Sequence, residues 1–209
     1  MLALIKREIQ DFIVYFVVAV ISAVVWVALL SVAAYNLGHI ESGVLAALSM
    51  PTLMVLVIMF SGMGVTQMYL DRNRRISAFL SVLPVTRSRI LGARIITGIL
   101  AILIVLLPVT IAAGVLCHLL LPPTLIYAGV IGEIAITVFL MLLACYCLGL
   151  LTGWTASKVT PTFGALGLNL ILFTLVIIKG FGPEIKLLLM LVIAACLIRT
   201  WHKFVSTSL

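Results

Sequence analysis

Residues 12–34 read FIVYFVVAVISAVVWVALLSVAA, a run of about 23 residues without a charged side chain. An α-helix needs about 20 consecutive apolar residues to cross a bilayer, so this stretch is long enough for one span. Similar runs recur along the chain, which has 209 residues, 65% of them hydrophobic and only 9% charged. Soluble domains carry about 25% charged residues. The sequence therefore predicts a polytopic membrane protein.

The amount of apolar sequence indicates how many times the chain crosses the membrane. Of the 209 residues, 65% are hydrophobic, or roughly 136, which is enough for about six spans of ~20 residues. No polar stretch exceeds about thirty residues, which is too short for a separate soluble domain. We predict an all-α fold, with one membrane domain over residues 1–209 and a polar loop at 66–94. The six predicted spans are residues 12–34, 44–65, 95–117, 125–151, 162–178 and 185–198.

The residues before the first span, MLALIKREIQD, have an amphipathic pattern. Leu2, Ile5, Ile9 and Phe12 share one helical face, and the charged residues lie largely on the other. This pattern predicts a short helix lying in the membrane interface. A plain continuation of the first span is the alternative. No small-residue cleavage pattern follows the first apolar run, so we expect a retained span and not a signal peptide.

The basic residues predict the orientation of the chain. The 13 Lys and Arg lie in short runs between the apolar stretches. With six spans and a cytosolic N-terminus, eleven of them face the cytosol, and two, Lys179 and Lys186, lie outside. The positive-inside rule favours this arrangement over its reverse, so both termini are expected in the cytosol. The net charge of +7 then reflects membrane topology, and we expect no nucleic-acid partner.

The sequence lacks the common motifs of enzymes and metal sites. It contains no GxxxxGK[ST] phosphate loop, GxSxG elbow, HExxH pair or CxxC pair. The six acidic residues are scattered, which leaves no acid cluster for a metal. We therefore predict that the chain is not an enzyme and that it binds no metal or cofactor. The cysteines lie in or beside apolar runs and are interpreted as packing residues: Cys117, Cys145, Cys147 and Cys196.

The most informative segment is YLDRNRRISAFLSVLPVTRSRILGARI, residues 69–95. Four apolar residues recur at i, i+3, i+4 and i+7 and form one stripe on a helix: Ile76, Phe79, Leu80 and Leu83. Arginines and serines cover the remaining faces, and Pro84 ends the helix. This predicts a short amphipathic helix with two possible roles. It either docks a cytosolic partner, or anchors the loop to anionic lipid.

The same segment carries a longer pattern. An acid after the second span is followed by the amphipathic helix, by Leu-Pro-Val-Thr-Arg and by a later basic residue. This order resembles the permease subunits of type-2 ATP-binding-cassette (ABC) exporters, whose pattern is roughly an acid, a spacer, L-x-x-L-P-[VI]-[ST]-R and a basic residue. The N-terminal helix and six-span layout are also similar to the family, so the resemblance covers the whole chain. The matching positions are Asp71, Leu80, Leu83, Pro84, Val85, Thr86, Arg87 and Arg94.

The chain departs from that pattern at one point, since Asp71 stands where the family usually has Glu and is followed by further arginines. The resemblance implies a coupling helix between spans two and three, seated in a groove of a separate ATPase. Two permeases and two ATPases form such an exporter, and ATP-driven closure of the ATPases is transmitted through the helix. The implied docking residues are Asp71, Arg72, Arg75, Ile76, Phe79, Leu80, Leu83, Pro84 and Arg87.

The resemblance also implies the partners and the location of the chain. The partners are a cytosolic ABC ATPase that binds ATP and Mg, and a second permease copy or homologue. The location is the lipid of a prokaryotic cell membrane. Two other functions fit the sequence. One is a secondary transporter or channel that needs no nucleotide, which several paired charges within the membrane would favour. The other is a scaffold or sensor component that uses the arginine-rich loop for docking. The substrate is not indicated by the sequence.

Three positions inside the predicted spans are candidates for function or packing. Glu133 is either a residue of the substrate pathway or, if span four starts late, a residue near the outer headgroups, because an ionised side chain at the bilayer centre is costly. Asn169 is interpreted as a helix-to-helix hydrogen bond, with a place in the substrate pathway as the alternative. Gly149-x-x-x-Gly153 predicts close approach of two helices.

Overall fold

The computed structural model describes residues 8–35, 42–73, 87–120, 125–153 and 159–206. These ranges are helical and contain no strand, which confirms the all-α class for the described part of the chain. A helical turn at residues 8–11 comes first, and Phe12 separates it from the next helix. The helices that follow are α1 (Ile13–Tyr35), α2 (Ser42–Asn73), α3 (Arg87–Leu120), α4 (Leu125–Thr152), α5 (Val159–Lys179) and α6 (Pro183–Ser206).

Five of the described helices are long and apolar enough to cross a membrane: α1, α2, α3, α4 and α6. The apolar part of α5 is shorter and covers Phe163–Lys179. The chain is therefore a helical membrane protein with five candidate spans in its described ranges, and the sixth span stays a prediction. The separate N-terminal helix stays a prediction, because residues 1–7 lie outside the described ranges.

The second and third helices are longer than the sequence predicted. α2 ends at Asn73 and not at 65, and α3 begins at Arg87 and not at 95. Both ends of the predicted loop 66–94 are therefore helical, and residues 74–86 lie outside the described ranges. The reason is that polar residues end an apolar run without ending a helix, since Gln, Arg and Met are good helix formers.

α4 is the central helix of the bundle. It contacts α2, α3, α5 and α6, and each residue from 144 to 150 is buried. Cys145 and Cys147 lie in this stretch, Cys196 is buried on α6, and all three are free thiols. Their positions agree with the interpretation of these cysteines as packing residues.

α2 and α4 meet at glycines. A Cβ atom added to Gly149 would overlap the backbone of Ser61, and one added to Gly153 would lie 2.7 Å from the carbonyl oxygen of Val65. The two backbones can approach this closely only because these positions carry no side chain. The close approach predicted for Gly149-x-x-x-Gly153 is therefore confirmed, and its partner is α2.

A tight turn at residues 180–182 joins α5 to α6. Gly180 has a φ of +74°, a left-handed conformation that glycine adopts without steric cost. Its N–H donates to the carbonyl oxygen of Val176 at 3.0 Å, which closes the last turn of α5. Pro183 then takes the first position of α6, where its missing N–H costs no helical hydrogen bond.

Candidate docking site and the polar cluster behind it

The predicted docking residues fall on two helix ends and the segment between them. We call residues 71–87 the docking segment. Asp71 and Arg72 lie in the last turn of α2, and Arg87 is the first residue of α3. The two flanks of the segment are thus continuous with membrane helices and are not part of a separate helix. The other predicted docking residues lie outside the described ranges: Arg75, Ile76, Phe79, Leu80, Leu83 and Pro84.

Tyr146 on α4 joins the two flanks inside the bundle. Its hydroxyl shares one proton between two acceptors, Gln67 Oε1 on α2 at 2.6 Å and the carbonyl oxygen of Arg94 on α3 at 2.9 Å. All three residues are buried, with Tyr146 fully so. The ring fits because residue 98 is glycine, since a Cβ there would lie 2.5 Å from ring atom Cε1. One side chain therefore ties α2, α3 and α4 together.

Arg94 connects this centre to the N-terminal turn. Its side chain is only 5% exposed, its Nε lies 3.4 Å from Glu8 Oε1, and its Nη1 donates to Met68 Sδ at 3.5 Å. A buried guanidinium is costly unless it is paired, so the ion pair holds the turn at residues 8–11 against α3. Nearby, the Tyr15 and Thr66 hydroxyls form a hydrogen bond of 2.8 Å between α1 and α2.

We call Glu8, Gln67, Arg94 and Tyr146 the polar cluster. It holds the membrane-embedded ends of both helices that enter the docking segment. Arg94 was predicted as part of the family pattern, but its pairing with Glu8 was not predicted. Neither Gln67 nor Tyr146 was predicted as a functional residue. A signal was present for Tyr146, a polar residue inside an apolar run, where an unpartnered polar group is expensive. Gln67 gave no such signal, because it lies in the segment predicted as a polar loop. Within the described ranges, no three His, Cys, Asp or Glu side chains lie together as a metal site requires.

Glu133 lies at the opposite end of the bundle, close to the start of α6. Its Oε1 is 3.5 Å from Lys186 Nζ, and the Glu133 side chain is 62% exposed. It is near the beginning of the apolar stretch Gly129–Thr152 of α4. Both interpretations of Glu133, as a residue of the substrate pathway or as a residue near the outer headgroups, stay predictions.

Asn169 on α5 is buried, with 1% of its surface exposed. Neither of its amide atoms has a hydrogen-bond partner within the described ranges, so the predicted helix-to-helix hydrogen bond is not formed there. The reason is the neighbouring surface of α2, where Met54, Val57 and Ile58 are all apolar. These residues and Asn169 line a small cavity of about 140 Å³, which has no polar group on its α2 side.

Comparisons with known protein families, with characterised proteins and with solved structures gave no match. Function is therefore inferred from the pattern of residues 71–94 and from the geometry that surrounds it.

Proposed function

We propose that this chain is the membrane-spanning subunit of an ATP-driven exporter of the type-2 ABC class. The observation that carries the proposal is the pattern from Asp71 to Arg94, an acid, an apolar helical stripe and Leu-Pro-Val-Thr-Arg. A separate cytosolic ATPase docks on the docking segment and binds the ATP and Mg. The stripe enters a groove of that partner, and the arginines speed association with its acidic surface.

The polar cluster supports this proposal because it connects the two helix ends that flank the docking segment to the rest of the bundle. Gln67 lies six residues before the end of α2, and Arg94 lies seven residues after the start of α3. At 1.5 Å per residue these distances are about 9 and 10.5 Å, so stiff helical ends join the docking segment to the cluster. A displacement of the segment by the ATPase would therefore reach α2, α3 and α4 together, with the N-terminal turn attached through Glu8.

The length of α5 is compatible with a short sixth span. The whole helix, Val159–Lys179, has 21 residues, and its apolar part, Phe163–Lys179, has about 17, the lower end of the range for a transmembrane helix. Six spans would place both termini and the docking segment on one side, with eleven of the 13 basic residues. By the positive-inside rule that side is the cytosol. We place the chain in a prokaryotic cell membrane, paired with a second copy or a homologue.

Photo-crosslinking tests the proposed docking. A photoreactive amino acid at Phe79 in the full chain, activated in native membranes, should capture a protein that carries a phosphate-binding GxxxxGK[ST] loop, identified by mass spectrometry. The same probe at Pro122, in the loop expected on the other side of the membrane, is the control and should capture no ATPase. Capture of lipid alone at Phe79 would contradict the proposal and favour the lipid-anchor interpretation.

A further inference from the structure

A cavity of about 230 Å³ lies between α1, α2, α3 and α4. It lies in the half of the bundle far from the docking segment. At that end the chain passes from α1 to α2 and from α3 to α4. Its deep wall is formed by buried Leu56, Val105 and Leu142, one from each of α2, α3 and α4. Ile134 at its rim is 38% exposed, and the cavity is partly open to the outside of the bundle.

The wall of this cavity is apolar. Its one hydroxyl, on Thr110, donates to the carbonyl oxygens of Leu106 and Leu107 at 2.9 and 3.0 Å within its own helix. The rest of the wall is aliphatic apart from Trp26 of α1, whose buried indole N–H has no hydrogen-bond partner in the described ranges. Apolar cavities of this kind stay dry and accept apolar guests. One indole N–H is too few polar partners to hold a water, and the wall has no charged side chain to pair with a headgroup.

The position of the cavity identifies its occupant. Every wall residue lies within a candidate membrane span, so in a bilayer the cavity lies at the depth of the hydrocarbon core. We propose that the cavity binds the acyl chain of a membrane lipid, with the headgroup outside. A cavity of about 150 Å³ holds benzene, so 230 Å³ accommodates about nine carbons by proportion. This site does not depend on the docking of an ATPase.

A photoreactive fatty acid with a diazirine near the end of its chain is the probe for this site. The full chain is purified in digitonin, which has no acyl chain, and the probe is titrated before irradiation. We expect labelling of the wall residues Leu53, Val109 and Val138 to reach a plateau. Labelling of Ile178 and Leu187, which are exposed on the bundle surface, should keep rising with concentration.

A substitution that fills the cavity tests directly whether the acyl chain binds there. Ala135→Phe places a ring among the wall residues and should lower the affinity of the plateau phase about tenfold or more, a loss of about 1.4 kcal/mol. Ala28→Phe makes the same change at an exposed position of α1 outside the wall and should leave that phase unchanged. If Ala135→Phe does not fold, Ala113→Leu fills the cavity from α3. Absence of a plateau, or an unchanged plateau in both filling variants, would overturn the proposal.

Discussion

At the residue scale, the Tyr146 hydroxyl is the group whose removal has the clearest expected effect on stability. This hydroxyl donates to Gln67 Oε1, and Gln67 Nε2 has no hydrogen-bond partner in the described ranges. Tyr146→Phe keeps the ring and leaves the buried amide unsatisfied, which costs about 1–3 kcal/mol. We expect a matching loss of stability in denaturant unfolding of the purified protein.

The matched control for Tyr146→Phe removes both polar groups. Replacing both partners of a buried hydrogen bond by apolar groups of similar shape is often nearly neutral. The double variant Tyr146→Phe with Gln67→Leu should therefore recover most of the lost stability. A single variant as stable as the parent chain would show that the hydroxyl does not hold these helices together.

The Glu8–Arg94 pair makes a second prediction at this scale. Glu8→Ala leaves a largely buried guanidinium without this carboxylate, and breaking a buried pair costs about 3–5 kcal/mol. Because Glu8 is itself 16% exposed, we expect the lower end of that range. Glu184→Ala, which breaks the exposed pair with Lys179 at 3.3 Å, is the control and should cost at most about 1 kcal/mol. Equal losses in the two variants, measured by unfolding, would contradict a buried role for Glu8.

At the scale of helices, the packing of α2 on α4 depends on Gly149. A methyl group there would overlap the backbone of Ser61, which cannot move away as a flexible side chain could. Gly149→Ala should therefore destabilise the protein by about 1–3 kcal/mol.

Gly132 on the same helix is the control for Gly149. A Cβ at Gly132 would meet nothing within 4 Å, so Gly132→Ala should be neutral or slightly stabilising, because alanine forms helix more readily. The comparison is made by thermal unfolding in one detergent. Equal effects of the two substitutions would mean that backbone contact between α2 and α4 is unimportant.

The same scale shows what the sequence can predict. The centres of the helices follow from apolar runs, because only a helix satisfies its backbone hydrogen bonds in lipid. The ends of α2 and α3 could not be predicted this way, since Gln67 and Arg94 are kept in the bundle by partners distant in sequence. Asn169 shows the reverse error, where a polar residue suggested a partner and the facing surface of α2 supplies none. The glycine spacing predicted a close contact between two helices, but the sequence did not indicate which helix is the partner of α4.

At the scale of the whole molecule, the orientation is the first quantity to test. The four native cysteines are removed, and single cysteines are placed at Glu41, Pro122, Asn73 and Ser157. An impermeant thiol reagent added outside intact cells should label the first two and not the last two, because basic residues favour the cytosolic side. Labelling at Asn73 would put the docking segment outside the cell, out of reach of a cytosolic ATPase.

The central claim is that the docking segment binds an ATPase through its apolar stripe. The docking residues were predicted from their periodicity and family pattern, whereas the polar cluster that supports them was visible only in three dimensions. Truncating a central apolar anchor typically costs 2 kcal/mol or more, about thirtyfold in affinity. Arginines at the rim should instead affect association rate and its salt dependence.

The most direct test is the dissociation constant between the purified chain and the captured ATPase. Phe79→Ala with Leu80→Ala should weaken it about thirtyfold or more. Val82→Ala, which lies off the stripe, should leave it unchanged, and Arg72→Ala should mainly slow association and reduce its salt dependence. An unchanged dissociation constant in the double alanine variant would contradict the account, because the stripe would then not be the contact through which the ATPase acts.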